Sequence, residues 1–153
     1  MKNKVTTHQF LGVNGDDVIT GTNSNDYLNG GAGNDTLTGN GGWDAFGMSS
    51  GGGHDLITDF TVDKTNSAYH DQVVFDGWGN FTDAIWSGHL PAITLATGMQ
   101  FATDTGHVLT VTTAANGDLV LQWETGDSIE FAGVTPDHFR ADFITSLDSY
   151  NLF

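Results

Sequence analysis

Aspartate recurs every nine residues near the start of the chain, each time after a glycine-rich stretch. It holds the sixth position of five units, which span residues 12–20, 21–29, 30–38, 39–47 and, after a two-residue insertion, 50–58. The five aspartates are Asp17, Asp26, Asp35, Asp44 and Asp55. The eighth position is always large and apolar, and it holds Ile19, Leu28, Leu37, Phe46 and Ile57. Each unit therefore predicts a glycine-rich turn followed by a very short strand that is buried on one face.

Stacked units would bring these carboxylates into a row, about 4.8 Å apart if they follow strand spacing. Such a row is repulsive unless a cation lies between its members. Glycine turns expose backbone carbonyls, and calcium prefers carbonyl and carboxylate oxygens, whereas magnesium keeps its waters and a stricter geometry. The repeat therefore predicts calcium sites, with ligands from the aspartates and the turns. The candidate turn residues are Gly12, Asn14, Gly15, Gly21, Asn23, Gly30, Ala32, Gly33, Gly39, Gly41, Gly42, Gly52 and Gly53.

The charge balance also favours cations as partners. The 153 residues include 19 acidic and 4 basic side chains, which gives a formal charge of −15. This charge would repel nucleic acid and anionic membrane surfaces. The chain has no cysteine, so disulfides and thiolate metal sites are excluded. No apolar stretch is long enough to predict a membrane span.

The nine-residue pattern resembles G-G-x-G-x-D-x-U-x, the hemolysin-type calcium-binding repeat of the RTX (repeats-in-toxin) proteins. The resemblance implies an all-β fold built on a right-handed parallel β-roll, in which two units make one coil and alternate units stack. Second-position glycine is replaced in three units, and Ser24 replaces the fourth-position glycine of the second. If the fourth position requires a positive φ, we expect backbone strain at Ser24.

The same resemblance divides the aspartates into two files. One file would hold Asp17, Asp35 and Asp55, and the other Asp26 and Asp44. Calcium would lie between neighbours in a file, which implies about three sites. The segment after the last unit resembles the family's exit from the roll, and there Asp59 and Asp71 are expected to join the terminal sites.

Beyond residue 76 the glycine period disappears and longer alternating runs predict an antiparallel sheet or small sandwich. The sequence Asn116-Gly117-Asp118 predicts a hairpin. Thr135-Pro136-Asp137 predicts the start of a short helical segment. The run "TGDSIEFAGVTPDHFRADFI" resembles the β-sandwich cap that follows the calcium roll in serralysin-type proteases.

The two ends of the chain bear on its export. The start, "MKNKVTTHQF", lacks the apolar run of a secretory signal peptide. The end, "SLDSYNLF", resembles the uncleaved C-terminal signal of type I secreted proteins. We therefore expect a secreted protein without a cleaved N-terminal signal peptide. Its expected parts are a lead-in at 1–11, the RTX roll at 12–60 and a C-terminal β cap with the secretion signal at 61–153.

No catalytic motif stands out: neither H-E-x-x-H nor G-x-S-x-G is present, and the six histidines are scattered. We expect His54 to be an exposed turn residue and His70 a loop residue. The four tryptophans could stack on sugars, although core packing is the simpler expectation; they are Trp43, Trp78, Trp86 and Trp123.

The sequence thus predicts a non-enzymatic calcium-binding module that folds on calcium outside the cell. Its expected partners are calcium ions, the type I secretion machinery and a polysaccharide or cell-surface component. One alternative is a polysaccharide-binding accessory like the repeat modules of alginate epimerases. Another is the C-terminal tail of a secreted protease or lipase.

Overall fold

The computed structural model describes residues 8–62, 71–76, 95–103, 105–139 and 144–146. The first half of the chain forms β1 (His8–Leu11), β2 (Val18–Thr20), β3 (Asp26–Asn29), β4 (Thr36–Thr38), β5 (Ala45–Ser49), β6 (His54–Ile57) and β7 (Gln72–Asp76). The second half forms β8 (Gln100–Ala102), β9 (Val108–Thr113), β10 (Leu119–Trp123), β11 (Ser128–Phe131) and β12 (Ile144–Ser146). A single 3-10 turn, Pro136–His138, is the helical element of these described ranges.

Successive strands of the first half go alternately to two sheets. The first sheet has the order β1-β3-β5-β7-β12, with every neighbouring pair parallel. The second has the order β2-β4-β6-β11-β10-β9-β8, parallel as far as β11 and antiparallel beyond it. The fold is therefore all-β, and its first part is the parallel β-roll that the resemblance implied.

The eighth-position side chains form two apolar columns, one in each sheet, and apolar residues of the adjoining strands extend both columns. In register, the first column contains Phe10, Leu28, Phe46 and Val73. The second contains Ile19, Leu37, Ile57 and Phe131. Phe10 and Ile19, in the outermost strands, are partly buried, whereas the other six residues are buried. Each fully buried side chain contributes about 2 kcal/mol, so the columns hold together strands too short to be stable singly.

The C-terminal antiparallel strands continue the second sheet of the roll. The β9–β10 hairpin turns at Asn116-Gly117, where Gly117 has a φ of 92°, as the sequence predicted. The 3-10 turn begins at Pro136, also as predicted, although Thr135 makes no side-chain hydrogen bond to a backbone N–H of that turn. The C-terminal cap and the roll therefore share a sheet.

The two regions also share one hydrophobic core. The ring of Phe60 packs edge-on against that of Phe131, with centroids 5.0 Å apart, and lies 5.0 Å from that of Phe139. Trp123 packs edge-on against Phe75, at 5.3 Å. Such aromatic pairs each contribute about 1 kcal/mol beyond their burial. No helix in the described part of the chain is long and apolar enough to cross a membrane.

Candidate metal centre

Sheet register brings the sixth-position aspartates into two files. Asp17, Asp35 and Asp55 form the first file, and Asp26, Asp44 and Asp71 form the second. In each file the backbone N–H of one aspartate donates to Oδ1 of the next, over 2.8 Å from Asp17 and 3.1 Å from Asp35. The second file repeats this geometry, over 2.9 Å from Asp26 and 2.8 Å from Asp44. The sequence-based grouping is therefore what the topology produces, and Asp71 extends the second file.

A histidine stands at the N-terminal end of the second file. His8 is in register with Asp26, and its Nδ1 lies 3.0 Å from Oδ1 of that aspartate. The sequence reasoning missed this strand because its sixth position is not aspartate. None of the described residues is a lysine or arginine, so within these ranges the buried carboxylates have no Lys or Arg partner.

A second ladder runs beside the files at the fifth position of each unit. The N–H of Asn34 donates to Oδ1 of Asp16 over 2.8 Å, and the N–H of His54 to Oδ1 of Asn34 over 3.0 Å. On the other side, the N–H of Trp43 donates to Oδ1 of Asn25 over 3.0 Å. The recurring Asp or Asn at this position was the sequence signal for the ladder, and it went unused.

The first-position glycines leave room for the carboxylates. A Cβ built on Gly21 would lie 2.7 Å from Oδ2 of Asp26 and 2.8 Å from the carbonyl oxygen of Gly39. A Cβ on Gly30 would overlap Oδ2 of Asp35. Carboxylate and carbonyl oxygens therefore converge at points that a side chain would otherwise fill, which is the ligand chemistry of calcium.

One carboxylate oxygen provides the strongest test of fit. Oδ2 of Asp35 is buried and accepts no hydrogen bond from the described residues, and Asp35 is 1% exposed. A buried charged oxygen without a partner is costly, and a cation would remove that cost. No three His, Cys, Asp or Glu side chains of the described residues are grouped as a metal site, so an ion here needs backbone carbonyls as well as carboxylates.

Three carboxyl groups of the files have raised pKa values. Burial raises the pKa of Asp44 and of Asp55 from 3.8 to about 7, and neighbouring carboxylates in the files add to the effect. Burial likewise raises the pKa of Asp71 to about 6. The repulsion between neighbouring carboxylates that favours a proton also favours a cation, so the files attract positive charge.

The candidate turn residues fall into three structural classes. The first-position glycines lie against the carboxylates; they are Gly12, Gly21, Gly30 and Gly39. The third-position residues lie in the stacked turns; they are Asn14, Ala32, Gly52, Asn23 and Gly41. The fourth-position glycines have positive φ; they are Gly15, Gly33, Gly42 and Gly53. The side chains of Asn14 and Asn23 are exposed, so we assign these two residues no contact with the files.

The expected strain at Ser24 is wrong. Asn40, with a φ of 70°, is the single non-glycine residue of the described chain that has positive φ. Ser24 lies outside that region, and its N–H donates to Oγ1 of Thr22 over 3.1 Å, a local side-chain turn.

Two further carboxylates anchor turns from outside the files. Asp59 accepts the N–H groups of Gly39 and Asn40, both over 2.8 Å. Asp127 accepts those of Gly53 and Gly51, over 3.0 and 3.1 Å. Burial alone would raise the pKa of Asp127, but hydrogen bonds from Thr125 and the two glycines lower it. Sequence reasoning missed Asp127 because it lies 74 residues beyond Gly53.

The remaining candidates divide between surface and core. His54 is exposed, as expected, but it begins strand β6 and does not lie in a turn; its Nδ1 is 2.7 Å from Oγ of Ser128. Trp123 is buried in the core, whereas Trp43 is 46% exposed. The expectations for His70, Trp78, Trp86 and the C-terminal secretion signal lie outside the described residues.

Comparison with known proteins agrees with the repeat. Residues 11–44 match the model of the RTX calcium-binding nonapeptide repeat, in four copies. No curated protein matches the chain in sequence. The chain is similar to the solution structure of the AlgE6R3 subunit from the Azotobacter vinelandii mannuronan C5-epimerase, at 18% identity and a TM-score of 0.37, over 100% of this chain and 90% of that one. The serralysin-like part of the resemblance is not confirmed. The chain carries RTX nonapeptide repeats, and calcium is the ion that such repeats bind.

Proposed function

We propose that this chain is a non-enzymatic, extracellular calcium-binding module that folds when it meets calcium after type I secretion. The observation that carries the proposal is the buried Oδ2 of Asp35, which accepts no hydrogen bond from the part of the chain that the structure describes. Asp35 lies between Asp17 and Asp55 in its file. In a folded roll without cations, such buried oxygens would be repelled by the neighbouring carboxylates of the same file. The roll is therefore proposed to be unstable until calcium is present.

The roles of the chain's own residues follow from their placement. Asp17, Asp35 and Asp55 would hold ions in the first file, and Asp26, Asp44 and Asp71 in the second. First-position glycines would let their carbonyl oxygens approach. Bound calcium would neutralise the paired carboxylates. Asp59 would act beside the last sites of the second file, since its charge raises the pKa of both Asp44 and Asp71.

The energetic scale is sufficient for a folding switch. A ligand held tenfold above its dissociation constant, and bound only by the folded state, adds about 1.4 kcal/mol per site. Three such sites add about 4 kcal/mol, which is comparable with the whole stability of a small domain. The chain would then be folded in the millimolar calcium outside a cell and unfolded inside the cell, where calcium is scarce.

The test is a calcium titration followed by far-UV circular dichroism and calorimetry, with magnesium as the control ion. We expect a cooperative gain of β signal with calcium alone. Asp35→Ala should raise the calcium midpoint about tenfold or more, because it removes a ligand from two proposed sites. Asp118→Ala removes the same charge in the β9–β10 hairpin and should leave the midpoint unchanged. A chain that is folded in chelator and indifferent to calcium would contradict the proposal.

A polysaccharide-binding accessory is the second candidate, and the exposure of Trp43 favours it. Trp43 belongs to the fifth-position ladder, in which its backbone N–H donates to Asn25, and its side chain is 46% exposed, so a sugar could stack on the ring. A glycan array with calcium, repeated with Trp43→Ala, would separate this function from simple calcium binding. The protease or lipase tail is a third candidate, and a catalytic domain encoded in the same reading frame would support it.

A further inference from the structure

The second residue of every glycine turn has a backbone N–H whose acceptor differs along the roll. In the first unit, the N–H of Val13 donates to Oδ2 of Asp17, the aspartate of the same unit, over 2.8 Å. In the second unit, the N–H of Thr22 donates to Oδ2 of Asp26 over 2.5 Å. The hydroxyl of Thr22 also donates to that oxygen, over 2.9 Å. In both units Oδ2 of the aspartate therefore already accepts a hydrogen bond from its own turn.

The next three units send this N–H to a different acceptor. The N–H of Gly31 donates to Oδ1 of Asn29 over 3.0 Å. Those of Asn40 and Gly51 donate to Oδ2 of Asp59 over 2.8 Å and to Oδ2 of Asp127 over 3.1 Å. In these units no hydrogen bond from a described residue reaches Oδ2 of the unit's own aspartate; the three are Asp35, Asp44 and Asp55.

The backbone conformation of the second residue accounts for this difference. Gly31, Asn40 and Gly51 have φ values of 99°, 70° and 80°. Val13 and Thr22 are β-branched and remain outside the positive-φ region, which such residues almost never adopt. The identity of the second residue therefore sets the direction of its N–H, and with it the acceptor.

We propose that the second residue of each turn decides whether that turn's aspartate is open to a cation. Turns three, four and five are open, whereas in turns one and two a cation must first displace the turn's own N–H from the aspartate. Asn29 and Asp127 are positioning residues that hold the N–H away from Asp35 and Asp55. This inference rests on the proposed calcium binding. It adds the order in which the sites fill, since calcium binds at the open turns first.

Val13→Gly tests the inference by a gain of binding. The side chain of Val13 is 70% exposed, so its removal costs little packing. Glycine allows the N–H to turn, and because this N–H is exposed, water can accept it; the N–H of Gly31 is part-buried and depends on Asn29 instead. We expect isothermal titration to show one additional ion, or one site tightened about tenfold, the equivalent of one hydrogen bond to a charged group. Val18→Gly is the matched control, because Val18 is 79% exposed in the adjoining strand but has no N–H bonded to Asp17.

Asn29→Ala tests the opposite direction without changing charge. The N–H of Gly31 loses its acceptor and can donate to Oδ2 of Asp35 instead. The calcium site with the highest affinity should then bind about tenfold more weakly. Asn29→Asp keeps a side-chain acceptor and should bind at least as tightly as wild type. Circular dichroism in chelator provides the structural control, since a purely structural defect would persist in Asn29→Asp or appear without calcium.

The results separate the inference from the function on which it rests. A wild-type chain that binds no calcium overturns the proposed function. The gating is overturned, and the proposed function is kept, if the wild-type chain binds calcium, Val13→Gly binds it with the same affinity as Val18→Gly, and Asn29→Ala binds it with the same affinity as wild type. Tighter binding in Val13→Gly together with weaker binding in Asn29→Ala supports it.

Discussion

The roll and the C-terminal sheet stabilise short strands in different ways. Strands of the roll are three to five residues long, and they stack buried aspartates in register with one another. The strands β9 and β10 are six and five residues long, alternate buried with more exposed side chains, and turn through a hairpin. Their buried side chains are apolar; they are Leu109, Val111, Leu119, Leu121 and Trp123.

The difference lies in what each region needs from solution. Alternating apolar residues bury themselves without help, and the hydrophobic contribution is available at any calcium concentration. Files of buried carboxylates oppose folding unless a proton or a cation neutralises them. Because β11 pairs with β6, the C-terminal sheet is a ready template for the roll once its charge is neutralised.

Phe131→Ala should have the largest effect, because Phe131 belongs to both regions. It ends the second apolar column and packs against Phe60 and Phe139. Its truncation should cost about 4 kcal/mol in calcium, as measured by urea unfolding. Val120→Ala, on the less buried face of the neighbouring strand, should cost less than about 1 kcal/mol. Equal costs for the two variants would mean that the regions do not share a core.

Acid should partly replace calcium in the roll. Burial raises the pKa of Asp44 and of Asp55 to about 7 in the folded state, against 3.8 ordinarily. Protons therefore favour the folded roll, and this contribution is lost as pH rises towards 7. In chelator, lowering the pH from 7.5 to 5 should add on the order of 2 kcal/mol and restore β signal. A β signal that falls or stays constant over this range would count against neutralisation as the driving term.

Two glycines offer a matched pair with a smaller effect. Gly15 in the roll and Gly117 in the β9–β10 hairpin have φ values of 111° and 92°, and a Cβ at either would meet open space. Alanine at each position should cost about 1 kcal/mol through backbone strain alone. Gly117→Ala should lower thermal stability equally with and without calcium, whereas Gly15→Ala should raise the calcium midpoint. The same calcium response in both variants would remove the distinction between the regions.

The sequence predicted the features that repeat with a fixed period. The resemblance of the repeat to RTX proteins implied that Asp17, Asp35 and Asp55 share one file, and Asn116-Gly117 was enough to place the hairpin. The repeat did not reveal β1, because His8 takes the aspartate position while Phe10 keeps the apolar one. A motif anchored on aspartate cannot detect such a unit.

Contacts between distant segments were beyond the sequence pattern. In β11, Ile129 stands in register with Asp55 and Phe131 with Ile57, so an apolar residue ends the first file. Asp127 reaches the turn of the fifth unit only because β11 lies beside β6. Neither contact has a local sequence signal, since both depend on which strands become neighbours in the folded sheet.

The most direct test of the account is hydrogen exchange, resolved by mass spectrometry, with and without calcium. In chelator at pH 7.5, amides of β3 and β4 should exchange rapidly while those of β9 and β10 stay protected. Calcium, but not magnesium, should then protect β3 and β4 together, because the files fold as one unit. Equal protection of both regions in chelator would contradict the claim that the roll depends on its cations.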